Sequence, residues 1–367
     1  MSDRPPKEPL LSLRPAQGLV RKLLLSAVVA LAFVWLLHSG ALPVVPDARA
    51  LAGVSVSHVA LAAVIWLTMA VLRGARWQLL LAPVQAVPTI TVIAVAMVGY
   101  AATLVFPLRS GEVVRPLLIR REGVNAWAAT GTVGAERVLD GLFISSLLLL
   151  ALFLDPPRTG GSTESVALGL GPDVIAGAAR AAALVFSTAS VALVLFYRFR
   201  ELPGRMLMAT LGRFRPGAAE LIASRIQMVT RGIGFLARPR VAIPFLAVTA
   251  LYWGLTGVGL WVLARGVGLT DLSLPGACAV LGVLAIGIIP PGAPGLFGTY
   301  QFALYAGLAL YFSKARLESQ GALLVFSMYV IQVLVILLCG AVGLAYVLRT
   351  SSRAGVAKNL SDSPAPR

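Results

Sequence analysis

The stretch TITVIAVAMVGYAATLVFPLRSGEVVRPLLIRREG, residues 89–123, decides the fold of this chain. Its first part, 89–106, carries no charge, and the part that follows holds four arginines and two glutamates. An uncharged run of this length approaches the ~20 residues that cross a bilayer. The stretch therefore either spans the membrane and continues as a surface helix, or enters the membrane and returns. The number of membrane crossings elsewhere in the chain distinguishes these two paths.

The composition indicates a polytopic α-helical membrane protein. Of the 367 residues, 58% are hydrophobic and 13% are charged, and the mean hydropathy is +0.87, whereas soluble domains carry about 25% charged residues. Long apolar runs recur, and a run of ~18 or more apolar residues is a candidate membrane helix. The runs cover 23–37, 59–72, 90–106, 142–154, 181–197, 241–264, 277–289 and 322–348.

The distribution of arginine favours the re-entrant path for 89–123. Residues 1–22 carry five basic and two acidic side chains, which predicts a cytoplasmic N-terminus. If every apolar run spanned, the segment 198–240, with nine arginines and two glutamates, would lie outside, against the positive-inside bias. A return of 89–123 to the cytoplasm corrects this, and a hairpin over 276–312, entered from outside, then places the C-terminus in the cytoplasm.

The predicted architecture is thus an all-α membrane helix bundle with about six spanning helices and two re-entrant hairpins. The second helix is expected to end at 72, with Arg73 and Arg76 in the cytoplasm, and the loop 155–180 is expected outside. Residues 1–19 form a cytoplasmic tail, 20–348 the membrane domain, and 349–367 a disordered cytoplasmic tail. The six spans are predicted over 23–42, 52–72, 126–154, 181–197, 241–264 and 320–348.

The second hairpin has a recognisable tip, IIPPGAPGLFGTYQ, residues 288–301. Proline and glycine interrupt the apolar stretch there, and non-helical backbone at membrane depth persists only when it is buried in protein or lines a wet cavity. An ordinary tight loop between two short helices is the alternative. Two interrupted segments entered from opposite faces are typical of inverted-repeat transporters. The candidate tip residues are Pro290, Pro291, Pro294, Gly295, Gly298 and Gln301.

Three charged residues, Glu136, Arg137 and Asp140, fall inside the predicted helix 126–154. Glu136 and Asp140 share a helix face, and Arg137 and Asp140 are close enough to pair. A charge at mid-bilayer costs ~2.5–3.5 kcal/mol on insertion scales, so these side chains must face protein or water. They either lock the bundle through a salt bridge, for instance to Arg109 or Arg115, or line a polar path for a substrate or proton.

Arg109, Glu112 and Arg115 recur at every third position and would form one stripe on a helix. The planar guanidinium group binds phosphate oxygens through two parallel hydrogen bonds, so the stripe is a candidate site for a lipid phosphate. The alternative is that these arginines only mark the membrane interface, as Arg120 and Arg121 are expected to do.

Several function classes are disfavoured. The formal net charge of +16 is explained by arginines gathered on one side of the membrane, so nucleic-acid binding is not expected. Two isolated histidines, His38 and His58, and two cysteines, Cys278 and Cys339, give no metal-type spacing. No cofactor, metal or enzymatic activity is predicted, and a homo-oligomer is left open.

The same residues resemble the transmembrane region of lysylphosphatidylglycerol synthases, a flippase-like membrane family that also occurs as stand-alone proteins. The resemblance covers about 20–348 and is carried by FPLRSGEVVRPLLIRREGVNAWAATGTVGAERVLDGLFI and PPGAPGLFGTYQFAL. The family usually has glycine and glutamate where this chain has Leu296 and Gln301, so an ion-coupling step does not carry over. The matching positions are Pro107, Arg109, Gly111, Glu112, Arg115, Glu136, Arg137, Asp140, Pro294, Gly295 and Gly298.

The resemblance implies a stand-alone member that handles lipid and does not transfer an aminoacyl group. We therefore expect a multi-pass protein of the cytoplasmic membrane that translocates a phospholipid or a polyprenyl-phosphate lipid. Arg109 and Arg115 would hold the phosphate, while Glu136, Arg137 and Asp140 would line the path. The alternative is a membrane enzyme or accessory factor in glycosyl transfer from polyprenyl-phosphate sugars.

Overall fold

A computed structural model of the chain describes residues 45–46, 48–106, 111–158, 171–289 and 294–361, with Leu31 and Trp35 as isolated positions. All regular structure in these ranges is helical, as predicted. The α-helices are α1 Ala48–Leu51, α2 Val56–Leu81, α3 Thr89–Val105, α4 Val114–Ile119, α5 Ala126–Leu154, α6 Pro172–Arg198, α7 Leu202–Thr210, α8 Pro216–Ile233, α9 Pro239–Gly266, α10 Leu274–Gly287, α11 Thr299–Leu308, α12 Lys314–Arg316 and α13 Ala322–Ser361.

Five described helical segments are long and apolar enough to cross a membrane, and they agree with five of the six predicted spans. They are Val56–Leu81, Ala126–Leu154, Pro172–Arg198, Pro239–Gly266 and Lys314–Thr350. The first predicted span, 23–42, lies outside the described residues except for Leu31 and Trp35. The apolar helices α3 and α10 have 17 and 14 residues and belong to the two hairpins.

The first hairpin consists of α3 and the short helix α4, which returns along it. A Cβ at Gly111 would lie 2.2 Å from the backbone of Ala102, and one at Gly99 would lie 2.1 Å from the side chain of Arg115. Pro83, before the hairpin, and Gly123, after it, line one cavity at the same end of the bundle. The segment 89–123 therefore enters and leaves at one end. Because Arg115 is buried, α4 is not a surface helix.

The second hairpin pairs α10 with α11 and opens at the opposite end. A Cβ at Gly287 would lie 2.6 Å from Cβ of Ala303, and one at Gly307 would lie 3.0 Å from Cα of Val280. At its base, the hydroxyl of Ser273 donates to the carboxylate of Asp155, the residue that follows α5. Since α5 begins beside the base of the first hairpin, the two hairpins enter from opposite ends.

A polar clasp holds the loops at the base of the second hairpin. Asp271 accepts hydrogen bonds from Nη1 and Nη2 of Arg316 at 2.6 and 2.9 Å, and Arg158 lies 3.5 Å away. Hydrogen bonding to Arg316 lowers the pKa of Asp271 below its ordinary value. Because all these side chains are partly exposed, the clasp contributes little to stability and mainly sets the position of the loops.

Helices α7 and α8 occupy most of the arginine-rich segment 198–240. Helix α8 approaches α5 where glycine leaves room for backbone contact. A Cβ at Gly131 would lie 2.3 Å from the carbonyl oxygen of Val229, and one at Gly232 would lie 2.0 Å from that of Ala128. The basic segment is thus fastened to the start of α5.

We expect Gly131→Ala to lower the free energy of unfolding by about 1–3 kcal/mol, because the added methyl group overlaps backbone of α8. Gly134→Ala, three residues along the same helix, is the matched control, since nothing lies within 4 Å of a Cβ there. Thermal melts of the purified variants measure both. Equal melting temperatures for the two variants would contradict this close packing.

The last helix is longer than predicted. Helix α13 continues past Leu348 to Ser361, so the stretch predicted as a disordered tail begins as helix. Its middle packs along α3, where a Cβ at Gly343 would lie 2.6 Å from the carbonyl oxygen of Ala94. This packing brings the end of α13 to the end of the bundle where the first hairpin enters.

Candidate functional site

Arg76 is the centre of a buried ion-pair network. Its side chain is 0% exposed, and it donates from Nη1 to Oδ1 of Asp140 at 2.5 Å and from Nη2 to Oδ2 at 2.8 Å. Nη2 also donates to Oε1 of Glu136 at 2.9 Å. The expectation that Arg73 and Arg76 lie in the cytoplasm is therefore wrong, because α2 continues to Leu81 and buries Arg76 within the bundle.

Arg115 joins the same network from the first hairpin. Its Nη1 donates to Oε2 of Glu136 at 2.9 Å and to the hydroxyl of Tyr100 at 3.1 Å. Glycine at 99 leaves the space through which the Arg115 side chain crosses α3. The hairpin is therefore attached to α5 by a buried charge pair, and Glu136 bridges α2 and α4.

These four side chains, Arg76, Arg115, Glu136 and Asp140, balance two positive charges against two negative ones. Buried charges are tolerated when they are paired and hydrogen-bonded. Glu136 and Asp140 share a face, as predicted, and both meet Arg76 there. The Arg137–Asp140 contact is present but long at 3.8 Å, so Arg76 is the principal partner of Asp140. Both carboxylates therefore take part in ion pairs that join helices, as one of the two interpretations requires, and whether they also line a polar path stays a prediction.

Beside this network lies a cavity of about 490 Å³ between the two hairpins. One pole of the cavity is charged and the walls are apolar and aromatic. The charged lining comprises Arg73, Glu112, Arg115, Arg137 and Asp140, with Tyr100 beside them, and the walls include Trp66, Trp253, Leu281, Leu284, Ile288, Leu296, Val333 and Ile336. A cavity with these two parts fits an amphiphile with a polar head and a hydrocarbon chain.

The charged pole has unused hydrogen-bond donors. Nε of Arg73, Nη2 of Arg115 and Nε of Arg137 are buried and have no hydrogen-bond partner in the described part of the chain. Arg73 lies with its guanidinium carbon 3.9 Å from the ring centroid of Tyr100, which holds it against the wall. The lining contains three arginines and two carboxylates, so a surplus of one positive charge faces the space. This surplus of positive charge suits an anionic group.

The tip of the second hairpin closes the opposite side of the cavity. Gly295 and Leu296 line it, and both have positive φ angles, 71° and 58°. The hydroxyl of Tyr329 donates to the carbonyl of Gly295 at 3.1 Å. A left-handed conformation at leucine is uncommon, so contacts such as this one must hold the tip in place.

Of the next four candidate residues from the sequence, the structure describes only one. Arg109, Pro290 and Pro291 lie outside the described residues, so the proposed pairing of Arg109 with Arg115 stays a prediction. Glu112 lies in the 3₁₀ turn that leads into α4, and both Glu112 and Arg115 line the cavity.

The tip residues also differ in role. Gln301 lies on α11 and accepts from the backbone N–H of Gly298 at 2.7 Å, so it caps its own helix and does not face the cavity. Pro294 begins a short 3₁₀ turn. No group of three or more metal-binding side chains occurs among the described residues.

The part of the charged pole that lies on α4 and α5 coincides with the first of the sequence motifs that carried the family resemblance. A family model described as "Lysylphosphatidylglycerol synthase TM region" matches residues 23–340. The chain belongs to this family. No curated protein and no solved structure showed significant similarity to the chain. Membership of the lysylphosphatidylglycerol synthase transmembrane-region family agrees with the five candidate spans and makes this a multi-pass membrane protein.

For this family member, sequence reasoning missed the two arginines of α2 and Tyr100. Arg73 and Arg76 resembled an interfacial pair at a helix end. The signal against that interpretation is the mainly apolar stretch WQLLL, 77–81, which follows the two arginines. Two arginines followed by another helical turn of apolar residues indicate that the helix is still inside the bundle at that point.

Proposed function

We propose that this protein binds a phosphate-bearing lipid in the cavity between its two hairpins and moves it across the membrane. The single observation that carries the proposal is the cavity itself, whose charged pole has three arginines against two carboxylates and whose walls are apolar. Family membership and the arrangement of two hairpins entering from opposite ends support a transport role.

In this proposal Arg73 and Arg137 hold the phosphate, and Arg115 contributes its remaining donor. Arg76 and Glu136 lie behind the cavity wall and keep the network rigid, because their own charges are already paired. The lipid chain lies along the aliphatic residues of α10 and α13. Movement of the second hairpin tip away from Tyr329 would open the cavity toward the other leaflet.

The proposed orientation places the arginine-rich end of the bundle in the cytoplasm, following the positive-inside bias. We expect a single cysteine at Ser224, on α8, to be labelled by an impermeant thiol reagent only after the cells are opened. A single cysteine at Ser319, at the opposite end, should be labelled in intact cells. Both side chains are exposed. The background carries Cys278→Ala and Cys339→Ala, and the reverse labelling pattern would refute the orientation.

The proposal is tested by the lipid that stays with the protein. Protein purified in mild detergent should retain phosphate-bearing lipid, detected by native mass spectrometry as discrete mass additions. Adding excess phosphatidylglycerol should replace the retained lipid, whereas adding a neutral diacylglycerol of the same chain length should not. Equal replacement by both lipids would mean that the cavity does not recognise phosphate.

A further inference from the structure

A second cavity, of about 590 Å³, lies at the arginine-rich end of the bundle and is separate from the transport cavity. It is formed where the base of the first hairpin meets α5, α6, α8 and α9. Pro83 and Gly123 belong to the hairpin base, and Tyr197 belongs to α6. The two cavities share no lining residue.

Three arginines from three different elements line this second cavity. Arg200 follows α6, Arg231 lies in the last turn of α8, and Arg238 precedes α9. All three are exposed, and none has a carboxylate within 4.0 Å among the residues that the structure describes. Unlike the arginines of the buried network, these cations therefore have no internal counter-charge.

The other polar groups of the cavity do not neutralise this charge. Glu201 lines it too, but its Oε2 is bound to Nη2 of Arg205 at 2.5 Å. Gln85, Asn125 and Gln227 add amide groups, and Arg200 stacks over the ring of Tyr197 at 5.4 Å. Arginines that converge from separate elements, with amides between them, are suited to a polyatomic anion with several oxygens.

We infer that this cavity is a binding site for a negatively charged phosphate group. Its position at the end of the spans fits either the headgroup of an anionic lipid in the adjacent leaflet or a free phosphate compound. Occupancy would cross-link the base of the first hairpin to α8 and α9 and so stabilise the attachment of that hairpin. The inference does not depend on lipid movement through the other cavity.

The test compares melting temperatures of the full chain in lipid nanodiscs. One arm replaces phosphatidylcholine by phosphatidylglycerol, and the other adds pyrophosphate to phosphatidylcholine discs at matched ionic strength. Because a ligand that binds only the folded state stabilises it, we expect a rise of about 3 °C or more in one arm. A rise with phosphatidylglycerol alone identifies a lipid headgroup, and a rise with pyrophosphate identifies a free phosphate compound.

The variant Arg200→Gln/Arg231→Gln/Arg238→Gln should lose this rise. The control Arg213→Gln/Arg215→Gln/Arg240→Gln removes the same charge from the same basic segment, at exposed positions outside the cavity, and should keep it. If the triple variant does not fold, Arg231→Gln alone should weaken the apparent affinity about tenfold. No rise in either arm, or a rise that survives these substitutions, would overturn the inference.

Discussion

Replacing Arg76 with methionine is expected to lower the free energy of unfolding by about 3–5 kcal/mol. The substitution removes the partner of Asp140 and one partner of Glu136 while both carboxylates stay buried, and an unpaired buried charge is strongly destabilising. Thermal unfolding of the purified protein, followed by intrinsic fluorescence, measures the loss.

A second substitution tests whether the unpaired carboxylate of Asp140 causes this loss of stability. Arg76→Met combined with Asp140→Asn should be more stable than Arg76→Met alone, because Glu136 still has Arg115 and Arg137 as partners. Arg205→Met, which breaks an exposed pair with Glu201, should change stability by about 1 kcal/mol or less. Strictly additive losses in the double variant would show that Arg76 and Asp140 do not interact.

The second large effect is expected on lipid affinity. Arg73→Gln combined with Arg137→Gln should raise the dissociation constant for phosphatidylglycerol by roughly a hundredfold, because each side chain offers a charge-assisted hydrogen bond worth about 1.5–3 kcal/mol. Binding of a fluorescent phosphatidylglycerol to detergent-solubilised protein measures the change. The fold should survive, since neither arginine is the principal partner of a buried carboxylate.

The matched control for this pair is Arg120→Gln combined with Arg213→Gln, which removes two exposed positive charges outside the cavity. It should bind the lipid as the parent does. Arg73→Lys keeps the charge but not the planar fork of donors, so it should be intermediate. If the control weakened binding as much as the cavity pair, the affinity would reflect overall charge and not the cavity.

Much of the fold could be predicted because it follows from the composition of local segments and from the number of membrane crossings. The lengths of the apolar runs identified five spans that the structure describes. The arginines of 198–240 required one segment that returns to its own side, and a cytoplasmic C-terminus required the second. The proline and glycine residues at 288–301 marked the tip of the second hairpin. Each of these signals lies within one segment of the chain and does not depend on which other segments pack against it.

The buried network could not be predicted in the same way, because burial depends on which distant segments meet. Arg76 and Asp140 are far apart in the sequence. Gly99 leaves room for the side chain of Arg115, but a glycine carries no functional group that would mark it as part of a site. Spacing placed Glu136 and Asp140 on one face of α5, and Arg115, one of the suggested partners, does bind Glu136, but spacing could not identify the principal partner of Asp140. It suggested Arg137, whereas the three-dimensional packing supplied Arg76 from α2.

The central claim, that this cavity carries lipid phosphate across the membrane, is tested most directly by lipid movement in sealed vesicles. Phosphatidylglycerol with a fluorescent label on its acyl chain is placed in both leaflets, and dithionite is added to quench the outer label. With the parent protein, the inner-leaflet label should also become accessible, and Arg73→Gln/Arg137→Gln should slow this step at least about tenfold. A protected fraction equal to that of protein-free vesicles, or an unchanged rate in the double variant, would contradict the account.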